Sequence, residues 1–280
     1  MKNLKRKLSA LAMTTLFASM QVSFAVIDTG LGGGNGGAVI NNTTGGFVNG
    51  VAGNGSYDLN FNGNSHVNWD SLNVNKNESL NFNAVGGAKD LTILNTVNRG
   101  MSTIYGQINA NSGIGKLIIS NPNGVLFDGA KFTTAGDLQL TTKDLSNVNV
   151  EDLGKLNIDN AKFTKLYDNN GKLISIKIDN NSEFKVGGDY SIVAAGINAA
   201  NSAISAKTIK LVTANGQDYL ALNATAPTKA QDVTRLKAMN INGDLYITNE
   251  MGGLSIENGG NINGNVKVVT QGNVNLNKVD

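Results

Sequence analysis

Lys116-Leu117-Ile118-Ile119-Ser120-Asn121-Pro122-Asn123-Gly124-Val125-Leu126-Phe127 is the stretch on which the reading of this chain turns. Two apolar runs, Leu117 to Ile119 and Val125 to Phe127, flank four consecutive turn residues. Pro122 presets φ for the first central position of a turn, and Asn123 or Gly124 supplies the left-handed conformation that follows. The chain should therefore corner sharply between two short strands. Taken alone, these residues describe an ordinary strand, turn and strand. What surrounds them makes the corner one of a series.

Pro122 is one of only 2 prolines, whereas glycine reaches 34 of 280 residues and asparagine about 15%. No long apolar pattern at helical spacing follows the first 25 residues. Short alternation bounded by Asn or Gly recurs instead, as in Tyr57-Asp58-Leu59-Asn60-Phe61, Leu80-Asn81-Phe82 and Val274-Asn275-Leu276. Period-2 runs this short are strands with one buried face. Glycine, then Asp or Asn, then apolar-x-apolar occurs at Gly136 to Leu140, Gly188 to Ile192, Gly243 to Ile247 and Gly264 to Val268. The last interval, about 21 residues, fits one rung of a parallel β-solenoid, and the longer gaps are read as two rungs with insertions. Asn suits the corners because it tolerates left-handed backbone and can ladder with Asn on the next rung. At about 21 residues per rung, roughly a dozen rungs would span about 55 Å, less whatever insertions remove. Lys162 to Tyr167 and Lys172 to Ile178, joined by Asp168-Asn169-Asn170-Gly171, read as a hairpin projecting from or capping the coil. Gly30 to Gly37, with Val39, Ile40, Phe47 and Val48, reads as an irregular first turn.

The first 25 residues form a segment of their own. Lys2, Lys5, Arg6 and Lys7 precede a mostly apolar run from Leu8 to Val22, and Ser23-Phe24-Ala25 places small residues where a signal peptidase reads them. Cleavage is expected between Ala25 and Val26. Removing four basic residues takes Lys plus Arg from 23 to 19 against 21 acidic residues, so the mature chain is near −2. No dense basic patch with interleaved aromatics remains, which argues against nucleic-acid binding. An exported chain without cysteine has no disulfide framework and relies on packing and hydrogen bonds.

Residues that carry chemistry are sparse. His66 is the single histidine, and no carboxylate set has metal-loop spacing, so neither a metal site nor a cysteine or serine triad is supported. No cofactor is called for. Asp137, Asp189 and Asp244 occupy equivalent repeat positions, where capping a turn is the simpler role than a calcium site or a polysaccharide-lyase cleft. Gly32, Gly34 and Gly37 satisfy the letter of a phosphate-binding glycine pattern but lack its strand-turn-helix setting.

The order of several blocks carries a family resemblance: His66-Val67-Asn68-Trp69-Asp70-Ser71-Leu72-Asn73-Val74, Glu78 to Phe82, Ile93 to Val97, Ile104 to Ala110 and Ile118 to Val125. Together they resemble the N-terminal secretion domain of two-partner secretion exoproteins of the filamentous-haemagglutinin and high-molecular-weight-adhesin type. The resemblance spans 26–219, with 220–280 as the start of a further repeat region that stops in mid-pattern and is read as truncated. It implies an all-β, right-handed parallel β-helix with an extra-helical hairpin. It further implies export by the general secretion machinery, recognition in the periplasm by the polypeptide-transport-associated (POTRA) domains of a cognate outer-membrane β-barrel transporter, and folding at the surface of a Gram-negative cell. On this resemblance Asn121, Pro122, Asn123 and Gly124 are the recognition motif, with Asn95 as a further candidate upstream. Some members carry a second Asn-Pro-Asn upstream; here that region offers Asn95-Thr96-Val97 and Asn98-Arg99-Gly100, without proline. The expected role is non-enzymatic targeting of an adhesin or haemagglutinin-like protein; a contact-dependent toxin or haemolysin is the alternative passenger, a secreted lyase a third reading. A host-cell or neighbouring-cell receptor would be met by sequence beyond residue 280.

Overall fold

The computed structural model describes residues 27–33, 36–257 and 260–277. The expected cleavage point at Ala25 and Val26 lies outside them. From Ser79 onward the strands of the coil pair in parallel with the rungs that precede and follow them, beginning on Ser56–Ser71, and this register defines three faces. On the first, Tyr57, Leu80, Ile108, Phe132, Phe184, Ile204, Ile241 and Ile262 stand in one column. On the second the column is Ile93, Leu117, Leu138, Tyr190, Ile209, Leu245 and Val266. On the third it is Val125, Ile176, Ile197, Thr234, Leu254 and Val274. The chain is thus all-β with a β-helix-like arrangement of stacked parallel rungs.

Period-2 alternation explains why the columns are buried up to the last rung, where Val266 and Val274 are exposed: in Ser79–Ala84, Leu80 and Phe82 point inward while Asn81 and Asn83 point out. The inward residues form one continuous core from Leu31 to Ile256. Like residues stack on like: the Phe132 and Phe184 rings lie 5.9 Å apart and nearly parallel, and Phe61 and Phe82 do the same at 6.2 Å. Outside, amides ladder between rungs. Asn81 Nδ2 donates to Asp58 Oδ1 at 2.6 Å and Asn109 Nδ2 to Asn81 Oδ1 at 2.8 Å, so the outward asparagines satisfy one another.

Three features differ from the sequence reading. First, the repeat intervals divide otherwise. Leu138 pairs directly with Tyr190, so that gap is one rung with an insertion. The next gap does hold two rungs, because Ala203–Thr213 lies between Tyr190 and Leu245. That strand lacks the glycine signature: Ala206-Lys207 takes the corner position, and the register shifts there. Eight stacked positions on the first face among the described residues, well below a dozen, are what insertions and an N-terminal cap leave.

Second, the insertion is a folded layer. After Thr141 the chain departs over 142–174, with short 3-10 turns at Val150–Lys155 and Ile158–Asn160. It lays Leu145, Leu153, Ile158, Phe163 and Leu166 against Leu94, Ile118 and Val193 on the outer surface of the second face. A second excursion, 214–231, carries the helix Gly216–Ala221, capped by Asn215, and adds Tyr219 to the same outer cluster. The expected turn at Asp168 to Gly171 is present, with Gly171 N–H donating to the Asp168 carbonyl, and a single antiparallel bridge joins Tyr167 and Leu173. Lys172 to Ile178, expected as the second hairpin strand, lies for its larger part in Ser175–Asp179, which is instead a rung of the third face, between Val125–Asp128 and Gly196–Ala200. Ile176 and Ile178 alternate into the main core, which fixes that choice.

Third, the glycine-rich start leads into a long antiparallel ribbon, Val39–Ala52 on Ser56–Ser71, rather than an irregular turn. It lies at one end of the first rungs, with Phe47 edge-on to Phe61 at 5.7 Å. Glu78 holds the preceding segment down, accepting from Gly32 N–H at 2.7 Å.

Candidate functional site

The Asn-Pro-Asn-Gly segment is the corner between the second and third faces. Ser120 is the last residue of Ile114–Ser120, and Val125 the first of Val125–Asp128. Asn121 is fully buried and closes the corner in two ways. Its carbonyl accepts from Gly124 N–H at 2.9 Å, the bond of a β-turn, and its Oδ1 accepts from Asn123 N–H at 2.8 Å, an Asx turn nested inside the first. The side chain also faces the previous rung, where Nδ2 donates to the Gly100 carbonyl at 3.1 Å and to Ser102 Oγ at 3.0 Å. Toward the following rung, Asn121 N–H donates to the Thr141 carbonyl at 2.9 Å. Only an amide side chain offers one acceptor and two donors in this arrangement. Gly124 adopts φ +94°, and a Cβ there would lie 2.8 Å from the Ser175 carbonyl oxygen. Both its conformation and its space demand glycine.

The 142–174 excursion begins and ends over this corner. Ser120 Oγ donates to the Lys143 carbonyl at 2.7 Å, Lys165 Nζ donates to Asn123 Oδ1, and Ser175 sits above Gly124. Pro122 and Asn123 are half-buried at the side of a polar cleft of about 250 Å³ shared with Thr96, Asn98, Asp144 and Lys165. The excursion is pinned further by Lys143, whose Nζ donates to the Asp159 carbonyl at 2.6 Å and lies 5.2 Å from the Phe163 ring centroid. Burial pulls the Lys143 ammonium below its ordinary pKa, and the carboxylates of Asp218 and Asp159 oppose that shift.

Asn95 lies in the main core, one rung before Ile119, and is fully buried. Its Oδ1 accepts from Trp69 Nε1 at 2.9 Å and its Nδ2 donates to the Ile118 carbonyl at 3.2 Å. It does not meet the Asn121 side chain's partners; in the folded domain it serves the only tryptophan. His66 lies on the opposite, outward side of the same sheet, under the excursion. Its Nε2 is 2.7 Å from Thr96 Oγ1, and burial pushes the imidazole below its ordinary pKa, partly offset by a hydrogen bond to the Val148 backbone.

A second corner of the same kind was missed in the sequence. Asn249 follows Thr248 as Asn121 follows Ser120, in the same register column, and Gly252 at φ +78° answers Gly124. Asn249 is fully buried, accepting from Thr213 Oγ1 at 2.9 Å and Thr234 Oγ1 at 3.0 Å while donating to the Gly252 carbonyl at 3.0 Å. The Asn-x-x-Gly spacing was the available signal. Among the described residues no group of three or more His, Asp or Glu side chains could hold a metal ion. The corner orders backbone and holds no arrangement of acid, base and nucleophile.

No curated protein matches the chain. The crystal structure of the HMW1 secretion domain from Haemophilus influenzae aligns with a TM-score of 0.44 at 15% identity, covering 84% of this chain and 72% of that one. The family model of the TPS secretion domain matches residues 32–280, nearly every residue described above. The chain therefore belongs to the TPS, or two-partner secretion, secretion-domain family.

Proposed function

We propose that this domain directs a larger exoprotein of a Gram-negative bacterium through a cognate outer-membrane transporter, whose POTRA domains bind it in the periplasm while it is still extended. The observation that carries this reading is the family match over 32–280, and the burial of the corner agrees with it. Asn121 is fully buried and Pro122 and Asn123 half-buried in the folded domain, so a partner reading these side chains does so before the corner closes. On this reading the coil is a right-handed β-helix that forms outside the cell. Each rung needs only its neighbour, so it can fold on emergence and oppose return. The segment before Val26 is the export signal, the secretion domain runs to about residue 219, and the rungs beyond lead into an adhesin or haemagglutinin-like passenger.

The test is co-expression of the chain with and without the transporter encoded beside it. Release of the folded domain into the medium is expected only with the transporter. Equal release after its deletion would refute the reading.

A further inference from the structure

Asparagine followed by glycine is the most reactive step a chain of this composition contains. The glycine amide nitrogen attacks the asparagine Cγ, a C–N bond forms, and Nδ2 leaves as ammonia. Water then opens the succinimide to aspartate or isoaspartate. The reaction needs the glycine N–H unbound, the asparagine side chain free to swing back, and a backbone that lets the two meet.

Among the described residues the fold denies those conditions at nearly every such step. At Asn123–Gly124 the glycine N–H is held by the Asn121 carbonyl and the Asn123 side chain by Lys165. At Asn170–Gly171 the glycine N–H is bound to the Asp168 carbonyl. The Asn215 side chain caps a helix through Gln217 N–H and Asp218 N–H. Asn49, Asn242 and Asn263 have their amides committed to ladders with Asn60, Ser205 and one another. Asn62 lies within the extended strand Ser56–Ser71, where Gly63 packs against Gly46 so closely that a Cβ on Gly46 would lie 2.3 Å from Gly63 N.

Asn54–Gly55 is different. It is the exposed tip joining Val39–Ala52 to Ser56–Ser71, and neither the Asn54 side chain nor the Gly55 N–H has a hydrogen-bond partner among the described residues. Loop tips of this kind open at little cost, whereas a core corner opens only with its surroundings. We propose that Asn54 is a site of spontaneous deamidation in the folded domain, and that Asn123, equally reactive in the extended chain, becomes protected when its corner closes. The product matters locally. Gly55 accepts from Ser79 N–H at 2.9 Å, tying the tip to the next rung, and isoaspartate at position 54 lengthens the backbone beside that bond and adds a negative charge.

The inference is independent of the secretion reading and is tested on the purified domain. The chain is incubated at mildly alkaline pH with and without urea, and peptide mapping by mass spectrometry follows the gain of about one mass unit at each Asn–Gly step. Asn54 should react in the folded domain within about threefold of its rate in urea, and Asn123 at least a hundredfold more slowly than in urea, because its reaction requires the corner to open. Asn54→Gln should abolish modification at 54 and leave the Asn123 rates unchanged. Equal rates at Asn54 and Asn123 in the folded domain overturn the proposal. So does an Asn54 as slow as Asn123, or an equally fast modification at any of the seven steps held as described above when Asn54 is replaced.

Discussion

Replacing Asn121 with alanine removes three side-chain hydrogen bonds at once, to Gly100, Ser102 and Asn123. Each such bond contributes about 1 kcal/mol net, and a buried partner left without a substitute costs somewhat more. The Ser102 hydroxyl is such a partner, because it is buried. Gly100 is exposed, and water can replace the amide at its carbonyl. The expected destabilisation is therefore about 3 kcal/mol. Asn121→Asp should cost at least as much: it keeps the acceptor for Asn123 N–H but turns a carboxylate toward the Gly100 carbonyl.

Trp69 reports the outcome directly. It is the only tryptophan, fully buried, and hydrogen-bonded to Asn95 one rung from the corner's own strand. With a urea slope of about 2.5 kcal/mol per molar, a loss of 3 kcal/mol lowers the fluorescence midpoint by roughly 1 M. The same variant should be released less when the transporter is present. A midpoint shift below about 0.2 M would show that the buried amide network does not stabilise the corner, and would refute the energetic argument whatever secretion does. A large shift with undiminished secretion would leave the motif a structural corner alone.

Asn249→Ala, at the equivalent corner, should destabilise by a similar amount, about 3 kcal/mol in the same denaturation assay, because Thr213, Thr234 and Gly252 lose their shared partner. Gly124→Ala combines a strained φ of +94° with a clash on the Ser175 carbonyl, and should lower the urea midpoint by the equivalent of at least about 2 kcal/mol. Tyr190→Phe should be neutral or stabilising by up to about 1 kcal/mol in thermal unfolding, since the buried Tyr190 hydroxyl has no hydrogen-bond partner among the described residues. His66 has a folded-state pKa depressed by burial, so the unfolded chain binds its proton first as pH falls below 6.5. Stability should decline across the window from 6.5 down to the folded-state value, and His66→Gln should flatten that part of the urea-midpoint profile against pH.

What could be read from sequence was whatever alternates. Leu138 and Leu140, or Leu245 and Ile247, flank one polar or half-exposed residue each, and period 2 with a glycine in front marks them as one-face-buried strands. The rung at Ile209 escaped because Ala206-Lys207 replaces that glycine, and a bulge between Ser205 and Thr208 carries the turn instead. The outer layer escaped for a different reason. Its apolar residues, such as Leu153 and Phe163, are widely spaced in sequence and gain meaning only from the outward-facing Leu94 and Ile118 that they cover. A trace was visible at Leu117-Ile118-Ile119, where the alternation fails: an unbroken apolar run means that both faces of the strand are buried. The Asn249 corner lacked the proline that drew the eye to Asn121, although Asn and Gly, the residues that make the hydrogen bonds and the left-handed turn, keep the same spacing.

The order of the chain gives the corner a history that the folded structure alone does not display. Gly100 and Ser102 precede Asn121, so its amide can bond as soon as its own rung meets the one before it. The Thr141 carbonyl that binds its N–H, the lysine that holds Asn123 and the Ser175 carbonyl that roofs Gly124 all come later. If folding proceeds from the N-terminal rungs, as nearest-neighbour stacking permits, the corner exists first as an open turn and is covered only when 142–174 has docked. Between those two events Leu94 and Ile118 face water, an apolar strip that draws the excursion back onto the coil. The segment read as a recognition motif is therefore also the last part of its rung to be shielded. Deleting the apolar contacts of the excursion, for instance with Leu153→Ala and Phe163→Ala together, should slow closure over Asn123 while leaving the earlier rungs intact. Amide exchange at Asp144 and Ser102 distinguishes the two events, because the Ser102 N–H bonds to the Gly124 carbonyl within the stacked rungs, whereas the Asp144 N–H bonds to the Lys162 carbonyl within the cover and should exchange faster in the double variant.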